Sequence, residues 1–412
     1  MTKSFLKACV VTFLFLTVTT PAFAQGIVGN AGFSCSQSAL AAALATVNST
    51  SGIANRQQLW KAILACGRQL HTPVNSQVQP ANAQAQPGAA SGNFVVFNAP
   101  GASETVPTAI NNAGTVTGYY YDSAGQHSFV RTADGNIITF DPPGTGLGSY
   151  ATGINQAGVI TGEFENANGT DTHGFVRAPD GTFTMIDVPG GTGLTNPTSI
   201  NPRGIVAGSY AVNITFHGFV RSSNGIFTTF DPPGSIYTEA DAINPSGTIT
   251  GFYLWPISQN VQGESGFVRS PDGKLVTFDP PLVGSLVNYP IPSINAQGVV
   301  AGSYCEPACN AVHGFLRAPN GTLTVIDAPG NNYGTQVAGI NSAGTTTGWY
   351  LPADFLAQHG FLRTNQGTFI TFDPPGLFYT MPAAINDSGT VAGSACDATF
   401  TVCPAFVWTP HL

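Results

Sequence analysis

One dipeptide recurs through most of this chain. Ile-Asn stands at Ile110-Asn111, Ile154-Asn155, Ile200-Asn201, Ile243-Asn244, Ile294-Asn295, Ile340-Asn341 and Ile385-Asn386, at spacings of 44, 46, 43, 51, 46 and 45 residues. A period of that length marks a repeat architecture. Each unit is one supersecondary motif, too small to bury its own apolar face and stable only against its neighbours.

Turn signals divide each unit into four short runs, here strands a to d. Strand a ends on Ile-Asn. A turn such as Asn111-Asn-Ala-Gly114 or Asn386-Asp-Ser-Gly389 follows, with Asn first and Gly fourth, which is type I turn chemistry. Strand b reads Val116-Thr-Gly-Tyr-Tyr120 or Val206-Ala-Gly-Ser-Tyr210, with a central glycine in every copy. Strand c reads Gly174-Phe-Val-Arg177 and its relatives. Strand d ends in Phe140-Asp-Pro-Pro-Gly144 and its relatives, where proline cannot donate to a ladder and stops the strand.

Two features predict that the units close into a ring. The last unit ends at Ala405-Phe-Val-Trp408, a strand c with no strand d after it, while Asn93-Phe-Val-Val-Phe-Asn98 is a strand d with no a, b or c before it. The first strand can therefore complete the last unit, which pairs both terminal edges. The residue before Ile-Asn is also small in every unit (Ala109, Gly153, Ser199, Ala242, Ser293, Gly339, Ala384), as strands converging on an axis require. The predicted fold is all-β, a seven-bladed β-propeller of four-stranded blades over residues 93–412 with N-terminal strand closure, preceded by a small helical hairpin. With 49 Gly and 30 Pro against 8% charged residues, the composition favours short strands and tight turns over helices.

Residues 1–24 read as a secretory signal, with Lys3 and Lys7 ahead of the apolar run Ala8 to Val18 and Ala22-Phe23-Ala24 at the cleavage site. No later stretch approaches the roughly 20 apolar residues of a membrane span. Residues 25–70 carry two helical patterns, Ser38 to Val47 and Arg56 to Leu70, and 71–92 reads as a flexible linker. Cys9 leaves with the signal. The remaining Cys35, Cys66, Cys305, Cys309, Cys396 and Cys403 predict three disulfides in an exported protein, paired by proximity as 35 with 66, 305 with 309 and 396 with 403. The net charge of -8 and the confinement of six arginines to one repeat position argue against a nucleic-acid partner.

The order of Ile-Asn, turn, apolar-x-Gly and His-x-Phe resembles the bacterial extracellular HAF repeats, named for a His-Ala-Phe signature. It stands here as His173-Gly-Phe175, His217-Gly-Phe219, His313-Gly-Phe315 and His359-Gly-Phe361, with His127-Ser-Phe129 in the first unit. The resemblance covers about Phe94 to Trp408. Gly replaces the family's Ala, and Arg stands where the family often has Trp; only Ala405-Phe-Val-Trp408 has the family form. The resemblance implies an exported repeat protein of undetermined activity.

Register places each of those five histidines beside the Asp that ends strand d, His127 near Asp141 and His173 near Asp187. A structural hydrogen bond at the rim is the expected role, with metal or acid-base work as the alternative. In unit four Glu264-Ser-Gly266 replaces the histidine while Asp279 stays. The six arginines ending strand c are expected to pack on an adjacent aromatic ring and to bond turn carbonyls; in the last unit Trp408 stands for Arg and Asn98 for Asp. No nucleophile elbow, HExxH or phosphate loop is present. Asn166-x-Asn168-Gly-x-Asp171 lacks the end ligands of a calcium loop and reads as a surface turn. Glu163, Glu239 and Asp241 lie outside the repeated positions, and two of them could form a glycosidase pair.

Connections d-to-a and b-to-c emerge on one face and vary, whereas a-to-b and c-to-d turns are uniform. A varied loop can serve recognition. That face carries Tyr121, Tyr150, Tyr237, Trp255, Tyr289, Tyr333, Trp349 and Tyr379 with few charges, rings suited to a glycan or a protein surface, or else fillers between blades. The expected function is a secreted, extracellular or periplasmic, non-catalytic binding or scaffold propeller. It is expected to be monomeric and without cofactor, its ligand a glycan or an extracellular protein. The alternatives are an exported propeller enzyme, a lyase or glycoside hydrolase, and a passive envelope or matrix protein.

Overall fold

The computed structural model describes residues 91–411 except 214, 259–260, 280–284, 288–291, 306–310 and 353–356. The expected signal, hairpin and linker lie outside these residues, and so do Cys35, Cys66, Cys309 and Tyr289. Among the described residues the chain is all β, with no helix.

The first unit consists of Glu104–Ile110, Val116–Tyr121, Gln126–Arg131 and Ile137–Phe140, paired antiparallel in the order a-b-c-d. The third repeats it with Thr195–Ile200, Val206–Val212, Thr215–Arg221 and Phe227–Phe230. Strand b is almost wholly buried, while the two middle residues of strand d face solvent in most units, so d is the outer edge. Each strand c contributes one phenylalanine to the core: Phe129, Phe175, Phe219, Phe267, Phe315, Phe361 and Phe406 have no solvent exposure. Burying each contributes roughly 1.5–3 kcal/mol.

Strand a carries a β-bulge two residues before its final Ile, as at Pro107/Ala109, Pro197/Ser199 and Ala240/Ala242. The bulge swings the inner backbone across the centre of strand b, and this is why glycine stands there. A Cβ on Gly251 would lie 2.0 Å from the Glu239 carbonyl oxygen, and one on Gly118 would lie 2.1 Å from that of Val106.

The N-terminal strand Gly92–Phe97 pairs antiparallel with Ala405–Pro410, Phe94 opposite Trp408 and Val96 opposite Phe406. It thereby becomes the outer strand of a four-stranded sheet with Tyr379–Ile385 and Val391–Cys396. Neighbouring units meet through single parallel bridges from strand c to the next strand a, including Gln126 with Gly148, Val312 with Gly334, and Cys403 with Glu104 across the chain ends. Among the described residues no sheet closes on itself; the cycle runs through side chains. The Asn111 amide donates to the Asn155 carbonyl, and the same bond passes through Asn201, Asn244, Asn295, Asn341 and Asn386, which returns to the Asn111 carbonyl. Asn112 and Asp387 add a second tie between last and first units, Asn112 Nδ2 donating to Asp387 Oδ2 at 2.7 Å.

Five of the six strand-c arginines lie over an aromatic ring, as expected. Arg131, Arg177, Arg269 and Arg317 each lie 4.7–5.0 Å over the phenylalanine that ends strand d of the preceding unit. Where that residue is Ile326, Arg363 turns to Phe369 of its own unit instead. In the final unit Trp408 takes the same place and stacks on Phe372 at 4.0 Å. The Cys396–Cys403 disulfide is formed. Cys305 is also disulfide-bonded.

Candidate functional site

Antiparallel order brings the start of strand a, the end of b, the start of c and the end of d to one end of every unit, and the two uniform turns to the other. The charges sort along the same axis. Every lysine and arginine among the described residues sits at the uniform end, on the last residue of strand c or in the adjoining turns. All described carboxylates other than Asp134, Asp180, Asp241, Asp272 and Asp387 lie at or toward the varied end. This corrects the expectation of few charges there: the loops themselves are mostly neutral, but the strand ends beneath them are acidic.

At that end His127, His173, His217, His313 and His359 hold Asp141, Asp187, Asp231, Asp327 and Asp373 through Nδ1 at 2.6–3.0 Å. Each ring lies against an aromatic of strand b, as Tyr120 does on His127 and Tyr304 on His313. The carboxylates also reach the next unit. Ser149 donates to Asp141, Thr238 to Asp231 and Thr380 to Asp373, all from the following strand a. The pairs are thus ties between strand c, strand d and the neighbouring unit. In unit four the register puts Ser265, not Glu264, at the histidine position; Ser265 donates to Asp279 at 2.6 Å and accepts from Trp255 Nε1 at 3.0 Å. Among the described residues no group of three or more His, Cys, Asp or Glu is arranged to hold a metal ion.

The aromatic residues singled out in the sequence divide into two sets. Tyr121, Tyr150 and Trp255 are part-exposed, Tyr150 stacked on Tyr119 at 4.3 Å and Tyr121 edge-on to the same ring. Tyr237, Trp349 and Tyr379 are buried, Tyr237 stacked on Phe252 and Tyr379 on Phe400. Tyr333 lies in the strand Asn331–Ile340, its side chain outside the described part.

Unit four differs from the rest. Its strand a, Tyr237–Ile243, is the one inner strand among the described residues that carries two carboxylates within the strand, Glu239 and Asp241. Tyr237 Oη donates to Glu239 Oε2 at 2.6 Å. Asp241 occupies the bulge position at which Thr108, Thr152 and Thr198 donate to the next unit's backbone. Asp241 is 4% exposed, and its Oδ2 has no hydrogen-bond partner among the described residues. Burial, then the charges of Glu239 and Glu264, push its carboxyl well above the usual range. Burial and the same carboxylates also push the Tyr237 hydroxyl well up. Glu163, the third carboxylate singled out, lies on strand b of unit two opposite Tyr150 and is not part of this group.

No protein-family profile matches this sequence, and no curated protein shows significant sequence similarity to it. Among solved structures, a catalytically inactive virginiamycin B lyase from Staphylococcus aureus with quinupristin is similar at TM-score 0.51 and 12% identity, covering 77% of this chain and 99% of that one. Selenomethionine-substituted virginiamycin B lyase from the same organism gives TM-score 0.48 at 12% identity, over 77% and 99% of the two chains. A puromycin hydrolase gives 0.47 at 13% identity, over 77% and 54%. At such identity the first of these likenesses shows a fold, that of a β-propeller, and nothing of activity.

Proposed function

We propose that this chain is an exported, seven-bladed β-propeller of the HAF-repeat kind that binds a glycan or an extracellular protein on its d-a and b-c face and performs no chemistry there. Seven Ile-Asn units, the asparagine cycle and the pairing of Gly92–Phe97 with Ala405–Pro410 support the closed ring. The signal-like start and the Cys396–Cys403 bond support export. The observation that carries the binding reading is the division between the two ends. One has uniform turns and all the described Lys and Arg; the other has varied loops, carboxylates and the part-exposed Tyr121, Tyr150 and Trp255.

A glycan array and binding assays with extracellular proteins, run on the mature chain, test it. Binding weakened by Tyr121→Ala, Tyr150→Ala or Trp255→Ala supports the reading; a folded protein that binds nothing in either assay contradicts it.

A catalytic reading, as a lyase or glycoside hydrolase, draws on one observation. Glu239 and Asp241 share an inner strand, with Asp241 driven toward its neutral form while Glu239 accepts a hydrogen bond from Tyr237. Paired carboxyls in unlike environments are the usual parts of acid-base catalysis. Turnover of a polysaccharide that Glu239→Gln abolishes, with binding retained, would favour it over the first reading.

A further inference from the structure

Charge is divided along the chain as well as between the ends of the propeller. All 21 Asp and Glu lie in residues 91–412, whereas residues 25–90 hold Arg56, Lys61 and Arg68 and no carboxylate side chain. A basic segment joined to an acidic body is drawn to it wherever the tether allows. Within that segment the pattern Arg56 to Leu70 has a helical period that puts Leu59, Ile63 and Leu70 on one side and Lys61 and Arg68 on the other.

The closing strand fixes where this segment joins the propeller. Gly92 opens that strand opposite Pro410, and the Ser91 carbonyl accepts from the His411 amide at 3.0 Å, so the join lies at the uniform end. That end holds every described Lys and Arg, which repel further basic residues. The varied end is one outer strand away, 6 residues or roughly 20 Å. Residues 71–91 can cross that distance, since about 20 residues at up to ~3.5 Å each span as much as ~70 Å.

Two features of the varied end match the segment. Asp141, Asp187, Asp231 and Asp327 follow strand d, the outermost strand of their units, and are exposed, so they ring the rim nearest to a chain arriving along the outside. The loops beyond strand d present Leu147, Ile236 and Phe378, and a b-to-c loop presents Val402, all 39–50% exposed. Large apolar side chains set beside carboxylates suit an amphipathic basic helix, which gains charge pairing and apolar contact together.

We propose that residues 25–90 dock in cis on the varied end, with Lys61 and Arg68 against rim carboxylates and Leu59, Ile63 and Leu70 against the exposed apolar loop residues. The chain then covers its own ligand face, and a ligand of that face has to displace the segment. The inference goes beyond the binding reading, because it concerns this chain's own segment and its test uses no ligand.

Zero-length carbodiimide coupling of the chain beginning at residue 25, read by peptide mass spectrometry, tests it. The reagent joins a lysine amine directly to a carboxyl. The only lysines in this chain are Lys61 and Lys274, and all Asp and Glu lie in residues 91–412, so each Lys61 link to an acidic side chain reports where the segment sits. Lys274, whose charge acts on Asp272, is the internal control for the reagent. Expected are links within one chain from Lys61 to carboxyls of the varied end, with a yield that falls severalfold in about 1 M salt, where charges are screened beyond roughly 3 Å. Arg56→Gln with Arg68→Gln keeps the reporter lysine and should lower the yield severalfold at low salt; circular dichroism checks that the variant is folded.

Links from Lys61 only to Asp134, Asp180, Asp272 or Asp387 would put the segment on the uniform end and overturn the inference. Links only between two chains would make the varied end a contact between copies and overturn it as well. So would Lys61 left unlinked while Lys274 couples, or a yield indifferent to both salt and the two substitutions. None of these results bears on the binding reading, which the glycan and protein assays decide.

Discussion

Asparagine meets two demands at the end of strand a that no other side chain meets together. Its Oδ1 accepts from backbone amides two and four residues on, closing its own turn, while its Nδ2 donates to the next asparagine's carbonyl. Aspartate offers only the first and would bury a charge; serine is too short for the second. Asn201→Ala should therefore cost about 1–3 kcal/mol by leaving buried groups unsatisfied, measurable by urea unfolding. The recurrence of Ile-Asn was legible at once, but the second demand was not, because a side chain reaching 46 or 51 residues away leaves no local signal. Asp241 makes a separate prediction. The native state holds its proton to a higher pH than the unfolded chain does, so stability falls as pH rises from about 4, where an unfolded Asp ionises, toward the native value. Relative to the wild type, Asp241→Asn should lack this loss and be the more stable of the two at pH 8. Equal pH profiles for the two proteins would contradict the assignment.

Strand b and the bulged strand a are one device. The bulge lets the inner strand turn inward, and its carbonyl then occupies the space a side chain would take on strand b. Gly251→Ala puts a Cβ 2.0 Å from the Glu239 oxygen, against backbone that cannot swing away, and should cost about 1–3 kcal/mol and shift the carboxyl group beside it. Urea unfolding measures the first effect, and the pH dependence of stability the second. The repeated glycine showed in the sequence that something approaches strand b. That it is the bulge of strand a was hidden, since bulges follow from three-dimensional curvature. The two roles open to the aromatic residues could not be separated in the sequence for a related reason. Strand b is buried on both faces in most units, so its alternation does not tell an outward ring from an inward one, and Trp349 reads like Trp255 until the neighbouring unit is in place. The sorting of charge between the ends was present in the sequence, but only once each residue is assigned to a strand end rather than to a loop.

At the scale of the molecule, the reading depends on a ring whose ends meet in one sheet, because only then do the varied loops gather on a single face. Electrostatics adds a consequence. A face that holds most of the carboxylates and none of the described Lys or Arg should bind cationic ligands less tightly as salt rises, whereas binding of a neutral glycan through Tyr121, Tyr150 and Trp255 should change little. Titrations at low and high ionic strength separate the two. The ring itself has a more direct test at Val95 and Val407, which face each other between the first strand and the last. The mature protein carrying Val95→Cys and Val407→Cys should, on mild oxidation, form that disulfide within a monomer, identified by mass spectrometry of the linked peptides. Cross-linking between two chains, or no bond between these positions in a folded protein, would contradict the closed ring.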